Sequence, residues 1–153
     1  MTSADGTALE RRLEKLRALT RDSVKLAPIA RLVEMDVLAA DFGRVELQYA
    51  VKPEFMHLGR AVQGGIVTVY ADIAMAMAGQ TLCGDREFLV TSQLSISFLS
   101  PITEGPVTGE GRVVRKGRST YFLESVVRGP DGTEMARATS IGVARPLPTR
   151  PTV

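Results

Sequence analysis

Hydrophobic residues recur with two different periods along the chain, and each change of period marks a new element. In residues 8–20, four leucines recur at helical spacing with charged residues on the opposite face. This pattern predicts an amphipathic surface helix. A proline at position 28 predicts the first turn of a short second helix over residues 28–33. Residues 44–51 instead alternate strictly between hydrophobic and polar behind a turn at 41–43, which predicts the second strand of a hairpin.

The segment from Gln63 to Gly79 is hydrophobic on every face. Asp72 is the only charged residue between Arg60 and Asp85. The segment is shorter than the roughly 20 apolar residues of a membrane helix, and it carries a carboxylate near its middle. The pattern therefore predicts a helix buried in the core of a domain.

Four strand-like segments follow this helix and are separated by turns that contain glycine or proline. They comprise residues 88–99, 106–116, 119–128 and 134–144. One buried helix followed by consecutive strands does not give βαβ units, so the order predicts an α+β domain whose last four strands form a meander. We expect this domain to cover residues 28–145, with a helical extension over 1–27 and a proline-rich, disordered tail over 146–153.

Length, charge and cysteine content narrow the class of protein. A chain of 153 residues allows one domain with a substantial core. A formal net charge of +2 does not favour nucleic acid as a partner. The single cysteine, Cys83, excludes an internal disulfide and is typical of a reducing compartment. Residues 1–27 contain no apolar signal-peptide segment, so we expect a cytoplasmic protein that does not bind a membrane.

Gln63, Gly64 and Gly65 open the buried helix. The first N–H groups of a helix have no partner within it, and two glycines allow a ligand to approach the backbone closely. These groups can donate to an anion or to a polarised carbonyl. The same glycine pair can also serve only to make a tight turn into the helix, and the spacing leaves both interpretations open.

Asp72 is the strongest single signal of chemistry in the chain. A carboxylate inside an apolar helix costs several kcal/mol unless it is paired or partly hydrated. Its helical neighbours Thr68, Met75 and Ala76 include no basic residue. Asp72 is therefore either a reactive group, or a structural one that pairs with a distant arginine or caps a loop.

Gly65 and Asp72 are seven residues apart on the same helix, which separates them by about 10.5 Å along its axis. A carbonyl-binding N–H and a reactive carboxylate must both approach one reacting group within roughly 3 Å. Two copies of the helix running antiparallel across a two-fold axis satisfy this requirement, because each contributes its glycine end to the other's aspartate. The spacing thus points to a site shared by two chains.

Other classes of catalytic site have little support. His57 is the only histidine, and the chain has no G-x-S-x-G motif for a Ser-His-Asp arrangement. One histidine and one cysteine make a poor zinc site, so we expect no metal. The densest basic run, formed by Arg115, Lys116 and Arg118, is typical of a solvated hairpin end, with an anion site as the alternative.

The buried helix resembles that of a known family. Val62-Gln-Gly-Gly-Ile-Val-Thr-Val-Tyr-Ala-Asp72-Ile-Ala-Met-Ala is similar to the helix signature of PaaI-type hotdog thioesterases, commonly N-x-x-G-x-x-H-G-G with an aspartate eight residues after the first glycine of the pair. The run Thr91–Pro101 resembles the strand that follows, and residues 112–120 and 131–138 resemble the last hairpin. The similarity covers about residues 28–145. It implies a hotdog fold, in which a curved antiparallel sheet wraps one long helix.

The resemblance also implies a role for each matching position. Asp72 would act as nucleophile or general base toward the thioester carbonyl, Gly64 N–H would polarise that carbonyl, and Thr91 would help to place water. His57 stands where the family has Asn or Gln and is assigned to the catalytic group. Gln63 replaces the usual histidine, and Arg60 occupies the position of the motif's first glycine. Substrate contacts are expected from Gln63, Gly65, Arg115, Lys116 and Arg118.

The resulting hypothesis is hydrolysis of acyl-coenzyme A thioesters, with no cofactor apart from the coenzyme A of the substrate. We expect a homodimer as the minimal unit and a homotetramer as the assembly. Two alternatives stay open. A hotdog hydratase or dehydratase would pair His57 with Asp72, although the proline-rich segment usual between such a pair is missing. A non-catalytic acyl-CoA-binding protein would need an output domain, and residues 1–27 show no helix-turn-helix pattern.

Overall fold

The structure, a computed structural model, describes Thr7, Glu10, Arg11 and Glu14 and then residues 27–147 without a gap. Those four residues are helical and exposed. The leucines of the amphipathic helix predicted over 8–20 lie outside the described residues, as do residues 148–153 of the predicted tail.

Within residues 27–147 the predicted elements are present, with ends that shift by no more than two residues. Helix α1 (Pro28–Leu32) precedes the hairpin of β1 (Asp36–Asp41) and β2 (Arg44–Tyr49). A 3₁₀ turn (Pro53–Phe55) leads to the long helix α2 (Gly64–Gln80). The remaining strands are β3 (Glu87–Phe98), β4 (Val107–Lys116), β5 (Thr120–Arg128) and β6 (Glu134–Pro146). Strand β6 includes Pro146, which pairs with Glu87.

The six strands form one antiparallel sheet in the order β1-β2-β4-β5-β6-β3. The α+β prediction is confirmed, but the prediction of a four-strand meander is wrong. Only β4, β5 and β6 follow one another in space, because β2 occupies the other side of β4. Strand β3 pairs with β6 at the far edge, and residues 99–106 cross back to β4.

Helix α2 packs against β2, β3, β4, β5 and β6, so the sheet covers one side of the helix. Small residues on the inner face of the sheet allow this close approach. A Cβ atom at Gly111 would overlap the backbone carbonyl of Ala74. The inner face of β6 is likewise built from small residues, which are Ala136, Ala138, Ser140 and Gly142. The predicted buried helix is therefore confirmed.

One face of α2 is not fully covered within this chain. The side toward the sheet is buried and includes Tyr70, Ala74 and Met75. The opposite side is only half-buried and is also largely hydrophobic, with Ile66, Val69, Ile73 and Met77. The all-round hydrophobicity of this segment thus exceeds what a single copy of the chain buries.

Candidate active site

Asp72 lies in the middle of α2 and is half-buried. Its Oδ1 accepts a hydrogen bond of 2.7 Å from the hydroxyl of Thr91 on β3. Asp72 takes part in none of the ion pairs formed among residues 27–147. The partner of the Asp72 carboxylate is therefore a neutral hydrogen-bond donor. The alternative in which Asp72 pairs with a distant arginine is not observed among these residues.

Strand β3 contains one extra residue, and this determines where Thr91 points. Ser92 has no ladder partner of its own, because its neighbours Thr91 and Gln93 pair with consecutive residues of β6. The Ser92 hydroxyl donates instead to the Ile141 carbonyl at 3.0 Å. A bulge shifts the inward and outward alternation of a strand by one residue. Thr91 before the bulge and the hydrophobic residues after it can therefore all face α2, and the latter are Leu94, Ile96 and Phe98.

Two stacked tyrosines support α2 just before Asp72. The rings of Tyr49 and Tyr70 have centroids 4.8 Å apart and planes 18° apart. The Tyr49 hydroxyl donates to the Tyr70 carbonyl at 2.9 Å, and the Tyr70 hydroxyl donates to the Ala50 carbonyl at 2.8 Å. Burial raises the pKa of Tyr70 to about 12. Burial, and then the nearby Tyr70 and Asp72, raise the pKa of Tyr49 well above its usual range. Two neutral phenols thus link this turn of the helix to β2.

The N-terminus of α2 offers two free backbone donors. The N–H groups of Ile66 and Val67 both donate to the Gln63 carbonyl. The N–H groups of Gly64 and Gly65 donate to no group in the described part of the chain. The Gln63 side chain is exposed and does not cap the helix. Apart from its chain neighbours and the adjacent helix backbone, no atom lies within 4 Å of the place a Cβ would take on Gly65, so this side of the helix end is open to a ligand.

His57 lies in an exposed loop with a defined tautomer. Its Nδ1 accepts a hydrogen bond of 2.9 Å from the N–H of Gly59. A neutral imidazole whose Nδ1 is an acceptor carries its proton on Nε2, which is then a donor. A Cβ on Gly59 would meet the imidazole ring at 2.7 Å, so a glycine here lets the ring fold over the backbone.

Arg60 has a backbone φ of +58°, in the left-handed region that favours glycine. This is the position at which the motif of the resembled family has its first glycine. This chain therefore has a backbone conformation at that position that favours glycine, although an arginine occupies it.

His57 and Gly64 line one cavity of 340 Å³ between the loop and the start of α2. Its inner wall consists of buried hydrophobic residues, which are Ala61, Val62, Val67 and Ile102. Phe98 and Leu99 lie at its mouth with 55% and 52% of their surface exposed. The Phe98 ring reaches to 3.1 Å from the position of a Cβ on Gly64. Phe98 thus lies against the first residue of the helix.

The candidate residues form two groups within one chain. Asp72 and Thr91 make the first, and Gly64 with His57 makes the second. Gly64 and Asp72 are eight residues apart on α2, so helical rise separates the two groups by about 12 Å. A single chain therefore does not bring the carboxylate and the free N–H groups to one reacting atom.

The predicted basic run lies at the end of the β4–β5 hairpin, near the C-terminus of α2. Lys116 donates to the Leu82 carbonyl at 2.9 Å and its Nζ lies 5.5 Å from the centroid of the Tyr121 ring. Lys116 therefore has a structural role. Arg115 and Arg118 are exposed and take part in none of the described ion pairs.

The described residues contain no group of three or more His, Cys, Asp or Glu residues placed to hold a metal ion. None of their helices is long and apolar enough to cross a membrane.

Comparisons with known proteins support a single family. Residues 59–136 match the model described as the thioesterase superfamily. A protein of Saccharolobus solfataricus named as an esterase is 31% identical over 125 residues, which is 82% of this chain and 89% of that protein. The solved structure of a phenylacetic acid degradation-related protein from Ralstonia eutropha, described as a thioesterase, has a TM-score of 0.77 at 25% identity and covers 84% of this chain and 98% of its own. The Escherichia coli PaaI protein, from a phenylacetic acid degradation operon, has the same fold, with a TM-score of 0.77, 19% identity and coverage of 87% and 95%.

Proposed function

This chain belongs to the thioesterase superfamily as a PaaI-type hotdog thioesterase, and from that premise we propose that it hydrolyses acyl-CoA thioesters to a free acid and coenzyme A. The observation that carries the proposal is the Asp72 carboxylate. It is half-buried, bonded to the Thr91 hydroxyl, and not neutralised by any cation of the described chain. An ionised carboxylate can act as the general base or the nucleophile that hydrolysis needs.

The reaction replaces the C–S bond of the thioester by a C–O bond. In one route Asp72 removes a proton from water as the water oxygen attacks the carbonyl carbon. In the other, Asp72 attacks that carbon itself and water then hydrolyses the mixed anhydride. In both routes the thiolate of coenzyme A leaves and is protonated. The Thr91 hydroxyl occupies Oδ1 and leaves Oδ2 for the reacting molecule.

We propose that the N-terminus of α2 stabilises the negative charge that develops on the carbonyl oxygen. The N–H of Gly64, assisted by Gly65 and the helix dipole, would donate to this oxygen. His57 Nε2–H, directed by the bond between Nδ1 and Gly59, would serve as a further neutral donor beside it. Gln63 is exposed at the same helix end and would contact the substrate there.

The complete site, we propose, needs two chains. Strand β3 is an edge strand of 12 residues, and the side chain of Gln80 covers that edge only at Glu87 and Leu89. A long uncovered edge is normally paired or protected. The half-buried hydrophobic face of α2 lies beside it. A second copy docked on both would set two α2 helices antiparallel and bring Asp72 of one chain to Gly64 of the other.

We propose that the cations at the end of the β4–β5 hairpin bind the phosphates of coenzyme A. The free guanidinium groups of Arg115 and Arg118 suit phosphate oxygens. Lys116 already binds the Leu82 carbonyl and would add charge more than direct contact. We further propose that the enzyme is cytoplasmic, needs no cofactor beyond the coenzyme A of its substrate, and assembles as a homotetramer built from these dimers.

The test is a panel of acyl-CoA substrates assayed with a thiol reagent, with Asp72→Asn beside the wild type. The amide keeps the volume and removes the charge, so turnover should fall by about 10²–10⁴-fold. Asp36→Asn, an exposed position at the start of β1, is the matched control and should keep wild-type kcat/KM. A parallel enoyl-CoA hydration assay tests the hydratase alternative. Near wild-type kcat/KM for Asp72→Asn would overturn the assignment.

A further inference from the structure

We propose that the cavity between His57, Gly64 and Phe98 receives the acyl group of the substrate, and that it selects an uncharged, apolar acyl group of medium size. This inference rests on the proposed hydrolysis of acyl-CoA thioesters. It assigns an occupant to the cavity, and it makes Phe98 and Val67 residues that determine specificity.

The chemistry of the lining points to an apolar occupant. The walls that the described residues provide contain no Lys, Arg, Asp or Glu, and His57 is their one titratable side chain. Such a cavity has no cation to compensate a carboxylate on the acyl group. A succinyl group would therefore lose the hydration of its carboxylate without gaining a partner, which disfavours its binding.

The size of the cavity limits the length of the occupant. At 340 Å³ it is at the lower end of the range of small-molecule pockets, about 300–1,000 Å³. The buried side chains of Val62, Val67 and Ile102 close it on the inner side. A long fatty acyl chain would have to leave much of its length in water, whereas an acetyl group would leave most of the wall uncovered.

The position of the cavity fits the acyl side of the thioester. Gly64 belongs both to the cavity lining and to the pair of free N–H groups proposed to bind the carbonyl oxygen. A carbonyl held at this N–H has one substituent directed into the cavity. The short apolar space is therefore assigned to the acyl chain, and the coenzyme A arm is directed out of it.

Phe98 controls the entrance. Its ring lies against Gly64 and is half exposed at the cavity mouth. An acyl chain bound at the Gly64 N–H must pass this ring. Removing the ring widens the entrance, while adding volume to the inner wall shortens the space. These two changes should shift substrate preference in opposite directions, which a general loss of stability would not do.

The experiment measures kcat/KM of the wild type, Phe98→Ala and Val67→Leu on acetyl-, hexanoyl-, palmitoyl- and succinyl-CoA. Wild type should prefer hexanoyl-CoA. Phe98→Ala should raise the palmitoyl-to-hexanoyl ratio about tenfold, and Val67→Leu should lower the hexanoyl-to-acetyl ratio about tenfold, the usual scale for a methylene-sized change in a pocket. Phe122→Ala is the matched control, since this ring is exposed on the outer face of the sheet, and its ratios should equal those of the wild type.

The outcomes separate this inference from the proposed function. Equal changes on all four substrates would show that the cavity holds the coenzyme A arm or serves only the fold, and would overturn the inference. Preference of the wild type for succinyl-CoA would overturn it as well. A wild-type protein that hydrolyses no member of the panel would instead overturn the proposed acyl-CoA hydrolysis.

Discussion

The Thr91 hydroxyl donates a hydrogen bond of 2.7 Å to Asp72, across 19 residues of sequence and between the edge strand and the buried helix. Because the donor is neutral, it orients the carboxylate without cancelling its charge.

Replacing Thr91 by Val should lower kcat about tenfold, because the isosteric side chain removes the only described hydrogen bond to the Asp72 carboxylate. Thr91→Ser should retain most activity, since it keeps the hydroxyl. Steady-state kinetics on the best acyl-CoA measures both, and circular dichroism checks the fold. Equal activity of the Val and Ser variants would show that the hydroxyl has no part in turnover.

Two inactive variants should complement each other. In a mixed dimer of Asp72→Asn and Gly64→Val, one site combines both defects and the other combines an intact Asp72 with an intact Gly64. Mixing the variants after reversible dissociation should therefore restore up to one working site per mixed dimer. Native mass spectrometry measures mixed-dimer formation alongside turnover. Mixed dimers without recovered activity would contradict a site shared between chains.

Replacing Arg115 and Arg118 together by Ala should raise KM for acyl-CoA about tenfold with little change in kcat, because surface cations hold phosphates. The effect should shrink at high salt and be absent on an acyl thioester of N-acetylcysteamine, which lacks the nucleotide. Lys116→Ala should lower the melting temperature instead, since Lys116 binds the Leu82 carbonyl. Equal losses of the double variant on the full and truncated substrates would assign Arg115 and Arg118 to the fold as well.

Arg60→Gly should stabilise the protein by about 0.5–1 kcal/mol. The left-handed backbone at φ +58° costs a side-chain-bearing residue more than glycine gains in the unfolded chain. Urea unfolding measures the difference. The control is Arg86→Gly, an exposed loop position outside the left-handed region, which should be neutral or destabilising. A loss of stability in Arg60→Gly comparable to that in the control would indicate that the conformation is not strained.

Stability should decrease between about pH 10 and pH 12. The pKa of Tyr70 rises from 10.0 in its ordinary state to about 12 on burial, so in this interval the unfolded chain binds fewer protons than the folded chain. The free energy of unfolding therefore falls as pH rises through this interval. The stability that the neutral Tyr70 phenol contributes is fully present below pH 10. Denaturant unfolding at a series of pH values should show a shallower decline for Tyr70→Phe. Identical slopes for the variant and the wild type would contradict the raised pKa.

The sequence predicts where the helices and strands of this fold lie better than it predicts which strands pair with each other. The hydrophobic period locates α2 and the strands to within two residues, because each period reports how one segment is buried. The period contains no information on pairing, so the position of β3 beside β6 could not be derived from it. The bulge did leave a signal, since the helix-facing pattern changes parity between Thr91 and Leu94.

The residues of the candidate site that lie on α2 could be predicted from the sequence, whereas the contacts made by its loops could not. Asp72 is conspicuous as a lone charge in an apolar helix, and the free N–H groups of Gly64 and Gly65 follow from helix geometry. The bond between Gly59 and His57 and the bond between Lys116 and Leu82 depend on the path of loops, which composition and spacing do not specify. The left-handed backbone at Arg60 could not be predicted either, because arginine rarely adopts this conformation.

The Ser92 bulge has a consequence for which changes in chain length β3 can accept. If the extra residue moved one place toward the C-terminus, Gln93 would be turned toward the helix. If it were deleted, either Thr91 would rotate away from Asp72 or the residues from Leu94 to Phe98 would rotate into solvent. Strand slippage is therefore opposed from both sides, by a polar contact on one and by hydrophobic packing on the other. A single-residue deletion in this strand should be far more damaging than a deletion of equal length in the loop of residues 99–106.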